Sequence, residues 1–366
     1  MNQLIIFTDS EKIAYKYKVS KTDVLNLIHR NIDNIGSYEV LILDASDYKE
    51  ELSKQKNWQV YKDILLDFYA GMGIMPSPEV SLYILGGDDV VPMPRVINPI
   101  GSDEEIHCDL LYCFKDNDPE VYDITKAICN VGRLPMENGL MPVSFKDDIQ
   151  SYFNLISMFL DKGIEVNSIL MTSTESWLPA SNEMIRDLPT SKPRPIDGAT
   201  LENMYVSPDL DSNTNNYRIS FQYKSDIGKA DMLLFNLHGS DAPSYSSFYG
   251  EGITGHNTPE AFSINLIPNI GARIFNTVAC YGARFIGYNR NESILLKSIY
   301  GGGVVLYVGS CVSALGRSGI IHNQAHDILV PAGMSESLMK LYSHYLMSGL
   351  PAGVALLKAK CDYFNT

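Results

Sequence analysis

The chain has 366 residues, of which 45% are hydrophobic and 20% are charged, and it carries a net charge of −14 at pH 7. This composition is typical of a soluble globular protein, and the length favours two domains or one large α/β unit built from two halves. The acidic balance argues against nucleic-acid binding, because phosphate contacts need clustered lysine and arginine. No apolar run approaches the ~20 residues that span a bilayer, and the N-terminus lacks a signal-peptide pattern. We therefore expect a cytoplasmic protein that does not associate with membranes, and its six cysteines are too sparse for a disulfide scaffold.

The first 145 residues alternate short apolar runs with amphipathic stretches. Four of the runs predict buried strands that end in turn residues, at 4–7, 40–44, 81–87 and 127–135. Two of the stretches, 21–32 and 58–72, carry apolar residues at intervals of three and four and predict helices. The alternation indicates an α/β subdomain over residues 1–145.

The same pattern begins again in residues 146–366. After a helical stretch near 145–162, four continuous apolar runs predict strands, at 167–173, 231–239, 272–280 and 302–310. Continuous apolarity indicates burial on both faces, as in a parallel sheet covered by helices. Residues 181–217 are rich in Pro, Asn, Asp and Ser, and we expect a long surface loop there with short helical pieces.

Three of these predicted strands end in chemically distinctive residues. One ends at His238-Gly239, the next at Cys280, and the third at Ser310-Cys311. Because reactive groups collect beyond the carboxyl ends of parallel strands, His238 and Cys280 are expected to face one cleft. This Cys/His arrangement is the one that nucleophilic acyl transfer needs. The N–H groups of Gly239 and Cys280 could stabilise the oxyanion of a tetrahedral intermediate.

The stretches "LLFNLHGS", "IFNTVACYGARF" and "GGGVVLYVGSCVSA" resemble the caspase-like (clan CD) cysteine peptidases, most closely the gingipain-type family. Upstream, "YILGGDDVVPMPRV" and "NVGRLP" resemble the N-terminal subdomain of those enzymes, so the resemblance covers about residues 80–135 and 230–360. It implies a caspase-like three-layer α/β fold with a largely parallel central sheet and two subdomains.

The resemblance also implies roles for particular residues. Cys280 would be the nucleophile, His238 the general acid/base, and the N–H groups of Gly239 and Cys280 the oxyanion site. In gingipain-type enzymes a carboxylate of the N-terminal subdomain can orient the histidine. Three acids are candidates for that role here: Asp88, Asp89 and Asp109.

Substrate preference is predicted from the residues near the two strand ends. Family members that cut after Arg or Lys place a carboxylate in the substrate pocket, and Asp241 or Glu251 could supply it. Ser310 and Cys311 would form the pocket wall. A cut after Asp would instead need a basic pocket, for which Arg284 and Arg317 are available. We favour cleavage after a basic residue.

Other motifs do not predict a cofactor or a metal. His322 and His326 have the i, i+4 spacing of helical metal ligands but lack a third ligand. Cys108 and Cys113 have no second pair downstream, which argues against a zinc site. We therefore expect no cofactor and no metal.

Two hypotheses of function follow. The first is a cysteine endopeptidase that acts on protein or peptide substrates through a thioester acyl-enzyme, regulated by a ligand, a partner protein or self-processing. The stretch from Arg186 to Arg194 offers basic positions for self-cleavage. The alternative is a catalytically silent caspase-like module that serves as a binding partner or scaffold.

Overall fold

The computed structural model describes residues 2–32, 38–54, 57–75, 77–97, 105–115, 124–160, 163–186, 188, 204–208, 221–240, 245–253, 255, 258–314, 320–323, 328–331 and 333–364. The chain forms two compact units, Met1–Gly163 and Ile164–Thr366. The predicted division lay earlier, between residues 145 and 146. The intervening helical stretch belongs to the first unit, because the Tyr17 hydroxyl donates to Asp148 Oδ2 at 2.7 Å and the Tyr17 ring packs edge-on against Phe145.

The first unit contains a four-stranded parallel sheet in the order β2-β1-β3-β6 and a short antiparallel hairpin, β4-β5. The strands are β1 (Asn2–Thr8), β2 (Tyr38–Asp44), β3 (Ser81–Leu85), β4 (Arg95–Ile97), β5 (Glu105–His107) and β6 (Asn130–Leu134). The helices are α1 (Ser10–Tyr17), α2 (Lys21–Ile32), α3 (Lys49–Lys54), α4 (Trp58–Met72) and α5 (Ser151–Leu160). The two predicted helices, 21–32 and 58–72, are confirmed as α2 and α4.

Capping explains where α4 starts and stops. The Asn57 side chain accepts a hydrogen bond from the Val60 N–H and thereby caps the first turn. At the other end, Gly73 has a φ of +66°, a left-handed conformation that favours glycine.

The second unit is built on a five-stranded parallel sheet in the order β14-β13-β9-β7-β8. Its strands are β7 (Ile169–Thr174), β8 (Met204–Ser207), β9 (Met232–Asn236), β13 (Ile274–Thr277) and β14 (Leu306–Val308). A small antiparallel sheet contains β10 (His238–Gly239), β11 (Ser247–Tyr249) and β12 (Glu260–Ser263), and a hairpin contains β15 (Ile320–Asn323) and β16 (Ile328–Pro331). The helices are α6 (Leu178–Ile185), α7 (Phe221–Lys229), α8 (Ile294–Gly302), α9 (Met334–Met347) and α10 (Ala352–Phe364).

The prediction of a surface loop with short helical pieces over residues 181–217 is wrong at residues 204–207. These form β8, the edge strand of the large sheet, which pairs with β7. The helix α6 extends into the start of the predicted loop, up to residue 185. Most of the remaining stretch, including residues 189–203 and 209–217, lies outside the described residues.

Alternating side chains of β9 pack into two separate hydrophobic clusters. Leu233 and Phe235 belong to a cluster with residues of α7 and α8, whereas Leu234 belongs to a cluster with residues of α6, α9 and α10. All three side chains are fully buried. Because successive side chains of a strand point to opposite faces, helices cover both sides of this sheet. The second unit therefore has three layers, and its continuous apolar strands follow from burial on both faces.

A cluster of phenylalanines joins the large sheet to the small one. The Phe235 ring lies 4.6 Å from Phe262 and 4.9 Å from Phe275, between centroids, and Phe248 packs against all three. Burying one such side chain contributes roughly 1.5–3 kcal/mol. The cluster fixes β11 and β12 next to the ends of β9 and β13.

Within the described residues, none of the helices is long and apolar enough to cross a membrane. None of the six cysteines, all of which are described, is joined to another by a disulfide.

Candidate active site

The register of two parallel strands brings His238 and Cys280 together. β9 and β13 pair with a constant offset of 42, from Met232–Ile274 to Phe235–Thr277 (274 − 232 and 277 − 235). The same offset separates Cys280 from His238, which lie three residues beyond β13 and two residues beyond β9, respectively (280 − 277 and 238 − 236). Continued past the last pair, the register sets the two residues level with each other beyond the carboxyl ends. The strands that end near residues 238, 280 and 310 are neighbours in the sheet, in the order β14-β13-β9.

A close backbone contact at Gly239 shows how near the two chain segments lie. A Cβ at this position would be 1.6 Å from the Cys280 carbonyl oxygen and 3.0 Å from the Cys280 nitrogen. Only glycine permits this approach. The Gly239 backbone therefore lies directly against that of Cys280.

Glu251 holds the imidazole of His238. Its Oε2 lies 3.0 Å from His238 Nε2 and also accepts a hydrogen bond from Ser176 Oγ at 2.9 Å. Burial raises the pKa of the Glu251 carboxyl, but the hydrogen bonds from His238 and Ser176 and the charge of His238 outweigh it, so its pKa lies below the ordinary value. Glu251 was predicted as a substrate-pocket residue, and the structure shows its carboxylate bonded to His238.

Three other acids were candidates for that role, and each has partners within the first unit. Asp88 accepts from Arg95 and from the Met93 N–H, Asp89 pairs with Lys16, and Asp109 forms a two-bond ion pair with Arg133. These interactions connect the loops of the first unit, and in the described residues the carboxylate bonded to His238 is Glu251.

The end of β7 supplies the remaining neighbours of the histidine. The Trp177 ring lies 4.4 Å from the His238 ring, between centroids, and is tilted by 51°. Paired residues of β7 and β9 differ by 63 in sequence number. If this register is continued past the last pair, Glu175 lies level with His238 (238 − 175). Glu175, Ser176 and Trp177 were not among the predicted site residues. They follow an apolar run, so the strand-end rule that predicted His238 and Cys280 could also have predicted them.

The thiol of Cys280 lies against the loop after β14. Its Sγ accepts a hydrogen bond from the Ala314 N–H at 3.2 Å and lies 3.7 Å from Ser313 Oγ. The next residue, Tyr281, has a φ of +57°, and its N–H donates to the Val312 carbonyl at 2.9 Å. The turn that carries the thiol is thus held in a left-handed conformation, uncommon for a non-glycine residue, by the loop that faces it.

The two predicted pocket-wall residues belong to the same loop. The Ser310 carbonyl accepts from the Ala283 N–H at 2.8 Å, and Cys311 Sγ lies 3.6 Å from the Ala283 carbonyl. Both residues are half-buried beside the Cys280 turn. The guanidinium of Arg284 lies 5.9 Å from each of the Tyr245 and Tyr281 rings.

Other predicted residues fall elsewhere. Asp241, Arg317 and His326 lie outside the described residues, whereas His322 lies in β15. Within the described parts of the chain, no group of three or more His, Cys, Asp or Glu side chains could hold a metal ion.

The chain has the caspase-like α/β fold, with mostly parallel central sheets. Solved structures with this fold match the chain along its whole length. One is the complex of the pro- and mature domains of RgpB from Porphyromonas gingivalis, with a TM-score of 0.60 and 11% identity over 100% of this chain and 74% of that one. Another is the Arg-specific cysteine proteinase gingipain R (RgpB), with a TM-score of 0.57 and 11% identity over 100% of this chain and 72% of that one. A third, described as a protease, has a TM-score of 0.57 and 11% identity over 97% of this chain and 75% of that one. No protein-family model and no curated protein matches the chain.

Proposed function

We propose that the chain is a cysteine endopeptidase in which Cys280 is the nucleophile, His238 the general acid/base and Glu251 the residue that orients the histidine. The observation that carries the proposal is the shared offset of 42 between β9 and β13, which supports a position of His238 level with Cys280 at the ends of neighbouring strands. The fold supports it, because the structures with this fold include cysteine proteinases. The substrate would be a protein or peptide, and the reaction needs no cofactor.

The hydrogen bond between Glu251 and His238 supports Nδ1 of His238 as the reactive nitrogen. An ionised carboxylate can only accept hydrogen bonds, so His238 Nε2 carries the proton that Glu251 accepts. The lone pair of Nδ1 is then left to take the proton of the Cys280 thiol.

The chemistry then follows in two steps. The Cys280 sulfur attacks the carbonyl carbon of the scissile peptide bond, and the imidazolium of His238 gives its proton to the leaving amine, leaving a thioester. Water attacks the thioester while His238 takes one of its protons, and the acid product leaves as the thiol is restored. The N–H groups of Gly239 and Cys280 would bind the oxyanion in both steps, a contribution of about 3 kcal/mol for each donor.

The carboxylates at this end of the sheet support cleavage after Arg or Lys. Glu251 is committed to His238, whereas Glu175 Oε2 makes a long contact, 3.3 Å, with the Ile253 N–H. Glu175 is half-buried and level with His238 in the β7 register, so it is available to pair with a basic substrate side chain. The Arg-specific proteinase with the same fold adds support for this preference.

Regulation by a ligand, a partner protein or self-processing is part of the proposal. Intact masses of the purified wild-type and Cys280→Ala proteins test the last of these. A wild-type chain cut after a basic residue in 186–194, with an uncut variant, supports self-processing, and identical masses exclude it.

The experiment that tests the function is a cleavage profile on a peptide library in which every amino acid occurs at the position before the scissile bond. We expect cleavage after Arg or Lys by the wild-type protein, none by Cys280→Ala, and most of the activity in Cys311→Ala. Full cleavage by Cys280→Ala would contradict the assignment. No cleavage by the wild type, together with no reaction of Cys280 with a peptide electrophile, would favour the silent scaffold.

A further inference from the structure

A second site lies in the first unit, at the carboxyl ends of its parallel strands. A cavity of about 550 Å³ is lined by residues that follow all four strands: Asp9, Ser46, Asp89 and Gly139. The strands β2 and β3 lie on opposite sides of β1 in the sheet, so the strand order changes direction at β1. Open α/β sheets bind ligands at such a switch point, and the volume is within the range of small-molecule sites.

One wall of the cavity is fixed by a buried lysine. The Lys16 side chain is 3% exposed, and its ammonium donates to Asp89 Oδ2 at 2.7 Å, to the Gly139 carbonyl at 2.8 Å and to the Glu137 carbonyl. Asp89 Oδ2 also accepts from the Gly139 N–H at 2.9 Å. The loops after β3 and β6 are therefore held in place before any ligand binds.

A second set of polar contacts lies around Tyr61. The hydroxyl of Tyr61 donates to Asp9 Oδ2 at 2.9 Å and accepts from Lys12 Nζ at 2.7 Å, and Lys12 Nζ also donates to the Val90 carbonyl at 3.0 Å. Burial raises the pKa of Asp9 despite the opposing hydrogen bonds and charge. These contacts position an ammonium and a carboxyl group side by side in the lining.

Two charged groups of the lining have capacity for a ligand. Asp89 Oδ1 makes no hydrogen bond with any residue in the described part of the chain, and the side chain is 34% exposed. Lys49 is 73% exposed and contacts Glu11, itself 49% exposed, at 2.9 Å. The formal charges of the lining cancel, with three acids against three lysines: Asp9, Glu11, Asp89, Lys12, Lys16 and Lys49.

This charge balance selects the ligand class. A simple anion would meet three carboxylates and a simple cation three ammonium groups, whereas a molecule with both charges satisfies each with its opposite. Apolar surface is also present, from Leu52, Val90 and the exposed ring of Tyr15. The ligand should therefore carry an apolar side chain as well as both charges.

We infer that this cavity binds a small zwitterion, a free amino acid or a dipeptide with an aromatic or aliphatic side chain. Its ammonium group pairs with Asp89 and its carboxylate with Lys49. The inference is independent of the proposed peptidase, since every residue that carries it belongs to the first unit.

Calorimetric titration of the whole chain with L-phenylalanine and with alanyl-phenylalanine tests the inference. We expect saturable binding of at least one of them, and roughly tenfold or greater weakening when the same probe is N-acetylated or amidated, because each block removes one charge. Absence of binding by both probes at about 10 mM would overturn the inference, as would equal binding of the blocked forms.

Three variants identify the site. Asp89→Asn and Lys49→Ala should each weaken binding roughly tenfold or more. Lys54→Ala is the matched control, since Lys54 lies on the same helix, is 68% exposed and pairs with Glu50 away from the cavity lining. Unchanged binding by both Asp89→Asn and Lys49→Ala would contradict the assignment. Circular dichroism checks the fold, and Lys49→Ala, at an exposed side chain, keeps the test valid where Asp89→Asn misfolds.

Discussion

Replacing Gly239 with alanine tests the contact that the site depends on. The new Cβ would lie 1.6 Å from the Cys280 carbonyl oxygen, whereas real Cβ atoms essentially never approach another atom within 3.0 Å. One of the two backbones must therefore move by at least 1.4 Å (3.0 − 1.6). Because a misplacement of about 1 Å can cost roughly 100-fold in rate, we expect kcat/KM to fall by about that factor.

The assay is hydrolysis of a fluorogenic peptide with arginine before the scissile bond, together with the rate at which iodoacetamide labels Cys280, followed by mass spectrometry. Gly301→Ala is the matched control. A Cβ at Gly301 meets only the flexible Lys297 side chain at 3.5 Å, and alanine in a helix stabilises by roughly 0.5–1 kcal/mol. If folded Gly239→Ala retained activity within a few-fold of wild type, the close approach of the two strand ends would be refuted.

Four further predictions have distinct expected results. Glu251→Gln removes one charge of the His238–Glu251 pair, whose side chains are 34% and 27% exposed. About 1.4 kcal/mol of transition-state stabilisation, at the low end for a charged hydrogen bond, should be lost, so kcat should fall roughly tenfold. An unchanged kcat would contradict the role of Glu251 in orienting His238. The lowered pKa of Glu251 stabilises the fold at pH values above the ordinary glutamate pKa of about 4.3, and this stabilisation is lost as the pH falls through the lower pKa of the folded state. The difference in unfolding free energy between wild type and Glu251→Gln should therefore shrink as the pH falls from about 7 to about 3. Urea titrations that show a constant difference would refute this prediction. Cys280→Ala should abolish hydrolysis and Cys311→Ala should preserve most of it, so the reverse order in a peptide assay would exchange their roles. Glu175→Gln should raise KM for substrates with Arg or Lys roughly tenfold with little change in kcat, since it removes binding and not chemistry; an unaltered KM would exclude Glu175 from substrate recognition.

The parallel core and the positions of His238 and Cys280 could be predicted because both depend on local sequence. Buried parallel strands are continuous apolar runs in the sequence. Where such a run stops, at His-Gly or at Ala-Cys, the strand is predicted to end. The spacing of 42 residues between His238 and Cys280 was visible in the sequence. That β9 and β13 pair with the same offset is a property of the sheet, and the sequence alone does not show it.

The role of Glu251 could not be predicted from local sequence. It lies 13 residues after His238 and reaches it only because β11 folds back antiparallel on β10, with Tyr249 opposite His238. The strand β8 was missed for a related reason. Its four residues, Met204–Ser207, follow a stretch rich in turn-forming residues, and their extended conformation depends on pairing with β7. Non-local pairing of this kind overrides local preference.

The most direct test of the proposed catalytic site is covalent labelling with a peptidyl acyloxymethyl ketone that ends in arginine. We expect one adduct, on Cys280 and on no other cysteine, formed much more slowly in His238→Ala and not at all in Cys280→Ala. A matched reagent ending in aspartate should react far more slowly. Labelling of Cys311 in preference to Cys280, or a rate that is the same with and without His238, would contradict the account.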